Sequence, residues 1–114
     1  MALSKAREAI EVADAGGAWF QGAVARAALV DALVRADAPE SAVTPVIAEA
    51  RELVGKSGGD SLLPRLREAE ARMAGRNDRA VLNAGLREAE TLHRAMGAPD
   101  PAERLAEERR LLGC

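Results

Sequence analysis

The chain has 114 residues, 48% hydrophobic and 30% charged, with a formal charge of −2 and only 2% aromatics. That length suits one domain with a core of its own, and interspersed charges of both signs exclude a broad basic field for nucleic acid or an anionic membrane. The shortage of aromatic and alternating β-branched residues excludes a β-sandwich or barrel, so the expected fold is all-α with a core of Ala, Leu and Val.

Taken in chain order, the first helix is expected over about 3–15, where Leu3, Ala6, Ala9, Ile10 and Ala13 fall mostly at spacings of three and four. Ser4 is placed to cap it, and Gly16-Gly17 stops it. A second helix follows over about 18–36, AWFQGAVARAALVDALVRA, in which only Gln21, Gly22, Arg26, Asp31 and Arg35 are not apolar. A helix apolar on nearly every side needs cover on nearly every side, which makes this one the centre of a stack.

Pro39 suits the first position of a third helix, about 39–54, with Pro45 inside it as a point of bending. Gly55 to Asp60 reads as a linker. A fourth helix, about 61–74, tolerates Pro64 because first-turn amides are unpaired anyway. The fifth covers about 79–96. Asp100-Pro101-Ala102-Glu103 then announces a sixth over about 101–112, with Asp100 as N-cap, Pro101 at the first position and Glu103 returning the capping bond.

A repeat runs through the odd-numbered helices. Glu8-Ala9, Glu49-Ala50 and Glu88-Ala89 lie 41 and 39 residues apart, each followed three residues on by Val12, Leu53 or Leu92 and then by a glycine stop. The unit is a helical hairpin of about 40 residues, and stacking would cover the side each hairpin leaves bare. In that frame the chain opens on a lone second-of-pair helix, so a fragment of a longer protein is expected.

The spacing resembles the tetratricopeptide repeat. RLREAEARMAG (65–75) and EAETLHRAMGAPDPAERL (88–105), above all Met96-Gly97-Ala98-Pro99 followed by Ala102-Glu103-Arg104-Leu105, resemble the tetratricopeptide-like array near the carboxyl end of large bacterial signalling proteins. In those proteins a class III adenylate or guanylate cyclase domain, or a LuxR-type DNA-binding domain, is joined to a regulatory ATPase. His93 stands where that family usually carries an aromatic residue. The resemblance implies antiparallel hairpins stacked as a short right-handed superhelix, working as an interaction or regulatory scaffold and not as an enzyme. Its partner would be a protein, a peptide or a neighbouring domain.

No catalytic, cofactor or metal set is expected from the residues. His93 has Glu90 as the only ligand type at helical spacing, so packing is the expected role. Gly55-Lys56-Ser57 copies the tail of a phosphate-binding loop, but Ala50 replaces the first glycine and a helical pattern replaces the strand. The lone Cys114 agrees with a reducing cytoplasm. MALSKAREAIEVADAGG scatters charge where a signal peptide needs an apolar run.

Two binding candidates remain. Arg26, Arg65, Glu68 and Arg72 fall within a sector of about 60° when helix four is laid on helix two. That sector is either a groove for a carboxylate-bearing peptide or a salt-bridged solvent face. Trp19-Phe20 is either core filling or a partner's landing patch, and core filling is the expectation. A bare first helix also allows the chain to act as a homodimerisation module.

Overall fold

A computed structural model of the chain describes residues 2–58 and 60–112. Those residues form α1 (Ala2–Ala15), α2 (Trp19–Arg35), α3 (Glu40–Ser57), a 3-10 turn (Asp60–Leu62), α4 (Leu63–Ala74), α5 (Arg79–Ala95) and α6 (Pro99–Leu111). The all-helical expectation and the number of helices hold. Cys114 lies outside the described residues. The chain divides into two compact units, one ending at Leu62 and the other beginning at Leu63.

In the first unit α1 and α3 each pack on α2, and their backbones do not pack on one another. Ala23, Ala25, Ala27, Leu29, Val30 and Leu33 of α2 are buried against Ala6 and Ala13 of α1 and the stripe Val43, Ile47, Ala50 and Val54 of α3. Alanines on the facing surfaces let the helices approach closely. Yet α2 is not enclosed on every side as its composition predicted. Two neighbours leave part of its surface open, and Phe20 and Val24, in a groove beside α1, stay 40% and 36% exposed.

In the second unit α5 takes the middle place, with α4 and α6 packed on it. Ala71, Leu86, Ala89 and Leu105 form the buried centre, and Leu82 and Leu112 close its edge. Gly85 is required here, because a methyl group on it would collide with the Ala71 Cβ and stand 3.1 Å from its Cα.

Several helix ends differ from expectation. α1 begins at Ala2, which puts Ser4 inside its first turn and not at the N-cap, and α4 begins at Leu63 after the 3-10 turn. α3 runs unbroken through Pro45 and on to Ser57, stopping only where Gly58 adopts φ 74° and donates to the Val54 carbonyl. Gly55-Lys56-Ser57 is therefore the last turn of a helix and not a linker. Pro39 is the N-cap residue of α3 and not its first helical residue. α6 begins at Pro99 with Ala98 as N-cap, so Asp100 sits inside the first turn without a capping role. Pro101 fits there because a third-position amide has no helical acceptor.

The repeat is visible in the burial of α3 and α5, whereas Ala9 of α1, the counterpart of Ala50 and Ala89, is exposed. Ile47 and Ala50 in α3 match Leu86 and Ala89 in α5, all buried, and the half-buried His93 takes the place of the buried Val54. Arg26–Glu49 and Arg67–Glu88 are matching ion pairs between neighbouring helices. The turn after α1 also matches the turn after α5. Ala18 N donates to Ala13 O as Ala98 N does to His93 O, Gly17 N donates to Asp14 O as Gly97 N does to Arg94 O, and Gly17 and Gly97 have φ 67° and 73°.

Candidate functional site

Arg26 is one of the two buried charged residues among those described. Its Nη1 and Nη2 donate to Asp14 Oδ1 and Oδ2 at 3.0 and 2.8 Å, Nη1 also donates to the Gly22 carbonyl, and Nε stands 3.7 Å from Glu49 Oε2. One guanidinium on α2 thus ties α1 and α3 to it. Gly22 leaves the room, since a Cβ there would lie 3.2 Å from Arg26 Nη1 and 3.1 Å from Leu53 Cδ1. The hydrogen bond from Arg26 holds the Asp14 carboxyl below its ordinary range, and Asp14 raises Arg26 in return.

Glu68 and Arg72 sit on α4 in a four-membered network with Arg104 and Glu108 of α6. Arg72 grips Glu108 with bonds of 2.6 and 2.9 Å and bonds Glu68 at 2.9 Å, while Arg104 meets both oxygens of Glu68 at 3.2 Å. Burial pushes Glu68 up, but the bonds from Arg104 and Arg72 outweigh it and leave the carboxyl below its usual range. Arg72 is raised, chiefly by Glu108. An incoming carboxylate would have to displace Glu108 or Glu68. Arg65 is half-buried on α4.

The salt-bridged reading covers the i,i+4 pair Glu68–Arg72. Sequence reasoning missed Arg104 and Glu108, whose partners lie 36 residues earlier. It also missed Glu90, buried on α5 and held by Arg109 at 2.7 Å and Arg94 at 3.1 Å. An offset of 36 is neither the 41 nor the 39 of the repeat, so the spacing carried no signal for the first two.

Trp19 and Phe20 are not core residues. Trp19 is 52% exposed at the start of α2, with Lys56 Nζ from the end of α3 at 5.9 Å from its ring. That amine also pairs with Glu52 at 3.4 Å.

Phe20 turns toward α1. With Ala9, Val12, Val24, Ala25 and Ala28 it lines a groove of about 850 Å³ between α1 and α2. Lys5 and Glu8 of α1 and Gln21 of α2 also border this groove. Val12 is 74% exposed, the more telling because its counterpart Leu92 is half-buried. Large apolar side chains gathered in one exposed groove are the usual mark of a surface that meets another molecule.

His93 is half-buried on α5, and burial lowers its pKa, with Glu68 raising it and Arg104 lowering it by smaller amounts. Among the described residues no group of three His, Cys, Asp or Glu side chains is arranged to hold a metal ion. No described helix is long and apolar enough to cross a membrane. Compared with protein-family models, curated proteins and solved structures, the chain finds no match in any of the three.

Proposed function

We propose that the chain is a non-catalytic interaction or regulatory scaffold of stacked, tetratricopeptide-like helical hairpins, serving a bacterial cytoplasmic signalling protein of the cyclase or LuxR-type regulator class. The observation that carries the interaction role is the groove of Val12, Phe20 and Val24, three large apolar residues left in water beside small alanines. Full burial of such a side chain is worth about 1.5–3 kcal/mol, so exposures of 36–74% forgo a corresponding part of it at each position. A partner that covers them recovers part of that energy.

The test is a photoreactive benzoylphenylalanine at Val24, compared with the same group at the exposed Arg87, in cells that make the whole protein. A defined adduct from position 24 and none from 87 supports the reading. Equal adducts from both, or none from 24, sink it.

The same groove favours one other reading, a homodimer whose two copies bury each other's α1. The adduct would then have twice the mass of the chain, and sedimentation equilibrium would show a concentration-dependent dimer.

A further inference from the structure

The repeat that relates α1–α2 to α5–α6 also says what the groove is shaped to receive. Matching the two turns residue for residue, Gly17 on Gly97 and Ala18 on Ala98, sets a shift of 80 positions. Under that shift Lys5, Glu8 and Ala9 of α1 fall on Gly85, Glu88 and Ala89 of α5. Val24, Ala25 and Ala28 of α2 fall on Arg104, Leu105 and Glu108 of α6.

The first six residues all line the groove. The second six are the seat of α4. Gly85 lies against Ala71, Glu88 takes Arg67 at 2.7 Å, Arg104 takes Glu68, Glu108 takes Arg72, and Ala89 and Leu105 share a buried cluster with Ala71. The groove on α1–α2 is thus the same kind of surface, and no helix among the described residues covers it.

The substitutions within the seat change what it would accept. Glu8 keeps the role of Glu88, calling for a basic residue where α4 has Arg67. Val24 and Ala28 replace Arg104 and Glu108, so apolar residues are called for where α4 has Glu68 and Arg72. Lys5 replaces the glycine against which Ala71 packs. Its side chain prevents so close an approach and calls for a carboxylate at that position.

We infer that the α1–α2 groove binds an amphipathic helix of a partner protein. That helix carries Arg or Lys at one position, apolar residues one and five positions later, and Asp or Glu four positions later. The mode is helix-in-groove recognition, with apolar ridges supplying affinity and the two rim charges fixing direction. The inference rests on the interaction reading above and adds the chemistry of the partner.

The probe is a fluorescein-labelled, end-capped peptide of residues 61–75 carrying Glu68→Leu, Ala71→Glu and Arg72→Leu, titrated with the full chain and followed by anisotropy. Saturable binding is expected, at least tenfold tighter than that of the unsubstituted peptide. Glu8→Lys in the chain is expected to weaken binding about tenfold, and adding Arg67→Glu to the peptide to restore it. Val24→Glu abolishes binding while circular dichroism shows the helices intact.

Equal binding of the two peptides, no saturation, or a Glu8→Lys loss that the reversed peptide does not restore would each overturn the inference. A dimer of the chain that Val24→Glu dissolves would also overturn it and assign the groove to a second copy. These outcomes are separable from failure of the interaction role, because a Val24 cross-link to a partner in cells would still stand when the peptide fails.

Discussion

Single atoms decide how closely these helices meet, and Gly85 shows it most directly. A methyl group at that position raises helix propensity by about 1 kcal/mol, but it collides with Ala71, whose Cβ has no rotamer to escape into. The collision wins. Gly85→Ala is expected to destabilise the second unit by about 1–3 kcal/mol, read as a lower urea midpoint. Titration gives two further tests at this scale, of similar direction but in different pH windows.

The Glu68 carboxyl is lowered in the folded chain, with bonds from Arg104 and Arg72 outweighing its burial. Its contribution to stability is therefore complete above the ordinary glutamate range and is lost as pH falls through the lower folded value. The stability gap between wild type and Glu68→Gln should close in that acid window. His93 is lowered by burial, so the unfolded chain takes up its proton first as pH falls through the ordinary histidine range. Wild type should lose stability from there down to the folded value, and His93→Leu should not.

At the scale of the element, the helices are held by their ends as well as their faces. Asp78 is the side-chain cap of α5, accepting from Ala80 N and Val81 N at 3.0 and 3.2 Å. Asp78→Ala should cost about 1 kcal/mol, measured by thermal unfolding. α3 carries the opposite case, an exposed proline inside the helix. Pro45 removes one backbone donor, and Pro45→Ala returns it. The substitution should raise stability by about 1–3 kcal/mol, less than the full interior penalty because the unfolded chain also gains freedom.

At the scale of the whole molecule, the repeat gives both units the same kind of groove, and among the described residues only the one on the second unit is filled. Val24 is 36% exposed, so Val24→Glu should change the unfolding free energy read from urea titration by no more than about 0.5 kcal/mol. The same change should reduce the fluorescence of a bound hydrophobic dye such as anilinonaphthalene sulfonate.

Periodicity and stop residues sufficed for the helical class and the six elements, because spacings of three and four define a face whatever it packs on. The Glu-Ala repeat was legible for the same reason. Which faces find neighbours is a property of three-dimensional arrangement. The composition of α2 demanded cover all round, whereas only α1 and α3 supply it, and Trp19 and Phe20 therefore lie at the surface. The partners of Arg26 and Arg72 were likewise decided by tertiary structure, since an ion pair forms where helix packing brings side chains within about 4 Å, and sequence spacing sets that distance only within one helix.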